Sequence, residues 1–319
     1  IDGFRFDQAH LLSLETAKRI SDELRSINPG VIIYGEAWDN RSGEFSRIGW
    51  GSFNAHFRDV LRGDLHNYDK KGFLFSSYRP DENKADVKSI ISGSPYTLGG
   101  VYKEPSHSIN FLEVHDDYCF SDFLRLSSGE NKKNDIILNK TKHISLSPKL
   151  KKMNKLGAFI LFMSKGVPLI HQGQEWGHSQ IIQQTNIVDL NVHKMDPNPY
   201  NKDNETNWVN WDELKQNEDL VEFYKELIKT RKENISRKKM IYEKVEFFDF
   251  ENKFCLGFRV DEERIAFING DNNNSAEINL PKGSWNLLIS TDEMRNDKMK
   301  RYEGVIMLKP TSGILLEQK

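Results

Sequence analysis

The 319-residue sequence has only two cysteines, Cys119 and Cys255, far apart and without CxxC spacing. Neither a disulfide framework nor a thiolate zinc site is indicated on that count, and the compartment stays open. Charge of one sign is not in excess either, since 45 basic against 47 acidic residues leave a formal net charge of −2. With no block of like charge, the electrostatic footprint of a nucleic-acid binder is missing and no such partner is expected. Long apolar runs are absent. The longest, residues 158–163, falls far short of the roughly 20 residues a membrane span requires, and no charged-then-apolar leader opens the chain. No membrane partner is expected, and the chain reads as soluble. Nothing repeats with a period of about 20–50 residues, and no Gly-rich loop follows a strand, which counts against a nucleotide-binding α/β domain.

What is present is an alternation. At roughly 150 residues per domain the length suggests about two domains. Residues 1–6 are apolar and partly β-branched or aromatic, and the chain opens on Ile1 without Met, already inside a strand. It is therefore expected to be the C-terminal part of a longer polypeptide. Residues 11–27 place Leu14, Ala17, Ile20, Leu24 and Ile27 at helical spacing, Asn28-Pro29-Gly30 stops the helix, and residues 31–34 form the continuous apolar run of a strand buried on both faces. The pattern continues through a short stretch at 48–53, helices at 54–62 and 86–92, a strand at 109–114, a helix at 153–164 and a strand at 167–171. Strands alternating with helices predict a parallel sheet or barrel. A helix at 220–232 closes this part, and the lysine-rich stretch 131–155 reads as a solvated excursion. From about Ser236 short alternating segments at 247–250, 254–260, 264–269, 285–290 and 304–308 predict a separate antiparallel β domain. The expected division is 1–235 and 236–319.

Three strand ends finish in carboxylates: Phe4-Arg5-Phe6-Asp7, Tyr34-Gly35-Glu36, and Phe111-Leu112-Glu113-Val114-His115-Asp116-Asp117. Acids gathered at strand C-termini are what an active site on a barrel rim looks like. One such acid alone is more often a helix cap or turn former; three, with Arg5 and His115 beside them, favour chemistry. Residues two apart on a strand share a face, so Arg5 keeps Asp7 ionised, as a nucleophile requires. Glu36, between an apolar strand and Trp38, is placed for the desolvation that suits a proton donor. On strand alternation Asp116 faces with Val114 and Leu112, whereas His115 faces with Glu113, and which pair leans on the following turn stays open. His171, Gln172, Gln174 and Glu175 are either a further rim contact or a solvated loop. Trp38, Trp176 and Tyr118 could stack on sugar faces, although isolated aromatics more often pack.

Gly3-Phe4-Arg5-Phe6-Asp7, Tyr34-Gly35-Glu36-Ala37-Trp38 and Glu113-Val114-His115-Asp116 resemble, in order, three short motifs of the α-amylase superfamily of glycoside hydrolases (family 13). Residues 166–175, Gly-Val-Pro-Leu-Ile-His-Gln-Gly-Gln-Glu, resemble its last barrel strand. The Trp after Glu36, residues 53–63 and Asn207-Trp208-Val209-Asn210-Trp211 are similar to its pullulanase, isoamylase and glycogen-debranching branch. The resemblance covers residues 1 to about 235. It implies the C-terminal part of a (β/α)8 TIM barrel, about strands 4 to 8, followed by an all-β antiparallel domain. It further implies Asp7 as nucleophile, Glu36 as acid/base, Asp116 as the acid that holds sugar hydroxyls in the transition state, and Arg5, His115, His10 and Trp38 as substrate contacts. The superfamily's Asp-x-x-x-Asn-His motif of an earlier strand is absent, which fits a start at strand four, and Asp117 stands where Asn or Gly is frequent.

The implied function is that of a retaining glycosidase on α-glucan poly- or oligosaccharide, α-1,6 debranching and pullulanase-like, working by double displacement with its two main carboxylates about 5–5.5 Å apart. The alternatives are a branching-enzyme-like transglycosylase and a non-catalytic carbohydrate-binding homologue. No cofactor is expected. Calcium sites occur in parts of the superfamily, but no compact Asp/Asn cluster of the oxygen-ligand kind is present, so no metal is expected to be required. The missing N-terminal half is the expected partner, and the chain alone is expected to be inactive or aggregation-prone.

Overall fold

The computed structural model describes residues 1–38, 41–64, 67–233, 244–292 and 300–319. Its first sheet is parallel, with β1 (Gly3–Phe6), β2 (Ile32–Gly35), β3 (Gly51–Asn54), β4 (Ser108–Asn110) and β5 (Val167–Pro168) side by side in chain order. Register runs Arg5 to Tyr34, Gly35 to Ser52, Asn54 to Asn110 and Asn110 to Pro168. All the C-terminal ends therefore lie on one rim.

The crossovers carry helices whose limits follow local chemistry. After β1, α1 (Leu14–Ile27) starts where the Ser13 hydroxyl accepts from the Thr16 N–H at 3.1 Å and stops before Pro29, which cannot continue it. A short α2 (Arg41–Arg47) leads into β3. The Asn54 side chain that ends β3 also caps α3 (Ala55–Arg62), accepting from Phe57 N at 3.0 Å. That helix ends at Gly63, whose φ of +116° suits a residue without Cβ. A reciprocal Asn83–Asp86 capping box opens α4 (Lys84–Ile91). Beyond β4 come α5 (Phe120–Ser128), α6 (Lys140–Ile144) and α7 (Pro148–Met163), and α8 (Glu218–Glu233) closes the series. The lysine-rich stretch 131–155 is thus no mere excursion, because it contains α6 and the first turns of α7.

This is the C-terminal part of a (β/α)8 barrel, about strands 4 to 8, joined to an all-β unit. One reading fails within it. The strand β2 is not buried on both faces, since Ile32 is half exposed. With five strands side by side among the described residues, the face a closed barrel would fill opens instead onto a cavity of about 670 Å³ lined by Val31, Ile32, Ile109, Phe162 and Val167.

The β unit comprises β6 (Phe247–Asp249), β7 (Cys255–Arg259), β8 (Arg264–Asn269), β9 (Ala276–Asn279), β10 (Trp285–Ser290), β11 (Arg301–Tyr302), β12 (Val305–Leu308) and β13 (Ser312–Gln318). Six of them form an antiparallel sheet in the order β11-β10-β13-β8-β7-β6, and β12 pairs with β9 as a separate ribbon. Alternation divides the sheet between two cores. Ile265, Phe267, Ile314 and Leu316 pack toward the ribbon with Ile278 and Leu308, whereas Leu256, Ala266, Ile268 and Leu315 join the barrel core around Phe159 of α7. The expected division at 235/236 lies outside the described residues.

Candidate functional site

The rim above β1, β2 and β4 gathers the carboxylates. Arg5, on β1, sits at its centre with Nη1 3.0 Å from Asp7 Oδ1 and Nη2 bonded to Glu36 Oε1. Its guanidinium also stands 5.7 Å from the Phe53 ring centre, so packing as well as charge holds it in place. Asp7 is mostly exposed at the cleft, whereas the Glu36 side chain is only 5 % exposed. The second Glu36 oxygen accepts from the Gln8 N–H at 3.2 Å. His115 Nε2 lies 3.7 Å from Glu36 Oε1 and 3.4 Å from Asp116 Oδ2. Asp7, Glu36, Asp116, Arg5 and His115 thus converge on one constellation.

The open question of His115 and Asp116 is answered by where the strand stops. The β4 ladder ends at Asn110, not at 114, so side-chain alternation no longer governs residues 111–116 and both can face Glu36. Arg62 fixes that segment. It is buried, donating to Leu112 O at 2.5 Å and Tyr118 O at 3.2 Å with its guanidinium over the Phe123 ring. Burial is the main reason its pKa falls to about 10, the neighbouring Arg58 adding to the effect. Asp117 completes the turn in the left-handed region, φ +63°, with its N–H donating to Asn198 Oδ1 at 3.1 Å.

His10 and Trp38 occupy supporting places. The backbone N–H of His10 donates to Glu36 O at 3.2 Å, and its ring Nδ1 lies 3.3 Å from the same oxygen. Trp38 packs partly buried against Phe53, ring centres 6.1 Å apart. Trp176 and Tyr118 are buried packing residues. A second cleft of about 350 Å³, lined by His115, His171, Gln172, Tyr200, Asn207 and Trp208, continues from the rim.

No family model matches the chain. It is 27 % identical over 245 residues to a pullulanase of Bacillus subtilis strain 168, a match covering 73 % of this chain and 30 % of that protein. It is also 27 % identical over 281 residues to the chloroplastic isoamylase 1 of Arabidopsis thaliana, covering 73 % and 33 %. In structure, a type I pullulanase from Bacillus subtilis strain 168 complexed with maltose superposes over the whole chain and 44 % of its own, with a TM-score of 0.77 at 22 % identity. The relatives of this chain thus carry the names pullulanase, isoamylase and glycogen operon protein GlgX homolog. The chain spans about a third of the length of the curated relatives it matches.

Two features of the rim escape sequence reasoning. The bracing of residues 112–118 by Arg62 is one, because nothing in a helix sequence says which loop carbonyls an arginine reaches. The other is a buried group beneath the rim. There Glu113, fully buried, accepts from the Phe120 N–H through Oε2, while Oε1 lies 2.8 Å from His178 Nε2 and 3.3 Å from His171 Nδ1. Burial pushes the Glu113 carboxyl up, but the two imidazoles outweigh it and bring the pKa to about 2, while the carboxylate raises that of His178 despite burial. Glu113-His171-His178 and Glu36-His115-Asp116 are two trios whose donor atoms lie within 4.8 Å of one another, close enough to hold a metal ion.

Proposed function

We propose that the chain carries the reacting carboxylates of a retaining glycosidase that debranches α-glucans at α-1,6 linkages. The observation that supports this most is the single guanidinium shared by Asp7 and Glu36. Bridging by one planar group favours the short separation, about 5–5.5 Å, of a retaining pair over the roughly 6.5–9.5 Å of an inverting pair.

In this reading an ionised Asp7 oxygen attacks the anomeric carbon while Glu36 protonates the departing glycosidic oxygen, leaving a glycosyl ester on Asp7. Glu36 then takes a proton from water, which attacks the same carbon and releases Asp7. Asp116, with His115 beside it, holds sugar hydroxyls as charge develops at the ring. Arg5 orients both carboxylates, His10 steadies the Glu36 main chain, and Trp38 flanks the sugar. The substrate class follows the relatives, one of which is complexed with maltose.

We further place the catalytic part at about 1–235 and the β unit at 236–319, and propose that three more strands of the same polypeptide cover the open face lined by Ile32 and Val167. Without them the chain exposes sheet edges that can pair with other chains and is inactive. The test compares reducing-end release from pullulan by the parent polypeptide and by residues 1–319 alone. Activity in the parent that Asp7→Asn and Glu36→Gln each remove supports the proposal. Glucan chains that gain branches without gaining reducing ends indicate transfer instead, and full activity of the isolated chain overturns the need for further strands.

A further inference from the structure

The Glu113-His171-His178 trio beneath the rim is not used by the reaction above. Glu113 follows β4, His171 follows β5, and His178 lies just past the 3-10 helix Gln174–Trp176, so three separate segments each send one nitrogen or oxygen to a common point. We infer that Glu113, His171 and His178 form a binding site for a divalent late first-row cation, with Zn²⁺ the ion its donor set fits best.

Chemistry favours that class of ion. Two imidazoles and one carboxylate suit Zn²⁺ and its neighbours, whereas calcium and magnesium take oxygen donors. Spacing agrees. Zinc bonds of about 2.0–2.1 Å in a tetrahedron set ligand atoms roughly 3.3 Å apart, and Glu113 Oε1 stands 2.8 Å and 3.3 Å from the two nitrogens. The approach of His171 is the telling detail. Its Nδ1 is buried and stands 3.3 Å from Glu113 Oε1 without the alignment of a hydrogen bond, so the ring meets the carboxylate as a second ligand of one ion would. The two rings cross at 75° with centres 5.3 Å apart, which rules out simple stacking. An ion bound by all three accounts for both facts.

The surroundings are built to hold the donors. Glu113 Oε2 is taken by the Phe120 N–H, which leaves Oε1 to the imidazoles and fixes the carboxylate plane, as outer contacts of metal ligands do. Gly173 has φ +104°, and a Cβ there would come within 2.4 Å of His178 Nδ1, so the loop and the ring fit only with glycine. Both His171 and His178 line the 350 Å³ cleft, which supplies an entry path and room for water at a fourth position. At the other trio, Glu36 is already bonded to the Arg5 guanidinium, and that fixed positive charge opposes a second cation. The inference stands apart from the glycosidase reading, because it concerns binding by residues that reading leaves idle.

The experiment titrates ZnCl₂ into the metal-stripped parent polypeptide by calorimetry and reads coordination from the visible absorption of a Co²⁺ form. The expected result is one site with a Kd on the order of micromolar or tighter. His171→Ala is the gentlest variant, since that side chain makes no aligned hydrogen bond, and it and His178→Ala should each weaken binding more than the ~10–100-fold that loss of an outer contact costs. Glu36→Gln should leave the affinity unchanged. Circular dichroism and the metal-free unfolding midpoint of each variant separate lost ligation from lost fold. The proposal is overturned if the folded chain shows no one-site binding below about 100 μM, if His171→Ala and His178→Ala bind as the parent does, or if Glu36→Gln abolishes binding.

Discussion

Single residues that hold the proposed reacting carboxylates matter as much as the carboxylates themselves. Arg62 spans two carbonyls, Leu112 O and Tyr118 O, and a lysine in its place cannot keep both bonds because an ammonium lacks the planar fork. Arg62→Lys is expected to lower kcat of the parent polypeptide about 10-fold or more by loosening His115 and Asp116, with KM changed less; steady-state kinetics on pullulan checks this, and an unchanged kcat would dismiss the bracing role. A second residue governs acid stability. Asp122, fully buried, pairs with Arg125 at 3.0 Å and accepts from the Gln180 N–H at 3.0 Å. Burial pushes its carboxyl up, but the His143 and Arg125 contacts prevail and hold it well below the usual range. Because its folded pKa lies below the unfolded value of about 3.9, its stabilisation is present in full above roughly pH 5 and fades as pH falls further. Asp122→Asn should cost about 3–5 kcal/mol near pH 7 by leaving Arg125 buried without its partner, and the gap to the parent should narrow toward pH 3. Urea midpoints at the two pH values measure it, and a constant gap would contradict the assignment.

At the scale of elements, close approaches position Glu36. An ideal Cβ on Gly35 would stand 2.4 Å from the Ala9 Cβ and 3.2 Å from Phe6 O, so β2 and the 3-10 turn Ala9–Leu11 meet only because residue 35 has no side chain. Gly35→Ala should destabilise by about 1–3 kcal/mol and reduce activity beyond what partial unfolding explains, since Glu36 moves with the strand end; thermal melts alongside kcat at a temperature where the variant is folded separate the two effects. The same scale shows what a sequence reveals. Strands β1 and β2, α1 and α8 were legible because apolar spacing and breakers such as Asn28-Pro29-Gly30 act locally. β13 was not, since residues 313–316 face a core on each side and a strand buried on both faces shows no alternation. The extent of β4 is overread for a related reason, as residues 111–114 are buried and, Glu113 apart, apolar, without pairing. The convergence of Asp7, Glu36 and Asp116 could be anticipated from strand-end chemistry and motif order. The Glu113 trio could not, because His171 and His178 reach it across more than 50 residues of sequence and no spacing announces them.

At the scale of the whole molecule, the barrel part and the β unit share a core. Phe159 on α7 sits among Leu256, Ala266 and Leu315, an ideal Cβ on Gly313 would lie 2.8 Å from the Phe159 ring, and the Ser76 hydroxyl donates to Gly270 O at 2.9 Å. A joint of this kind predicts that the two parts unfold in one transition, and that Phe159→Ala costs about 3–5 kcal/mol and lowers the single midpoint. A Phe159→Ala variant that destabilised one of the two parts and left the other's unfolding in the parent unmoved would contradict a shared core. In the proposed chemistry Asp7 becomes glycosylated while Glu36 manages the proton. The most direct measurement incubates the parent polypeptide with an activated, ring-fluorinated α-glucosyl donor that forms the ester faster than water can break it, then locates the added mass by peptide mass spectrometry. One glycosyl group is expected on the peptide bearing Gly3-Phe4-Arg5-Phe6-Asp7, and none in Asp7→Asn. A label on another carboxylate, or full turnover of pullulan with inverted anomeric product and no label at all, would contradict it.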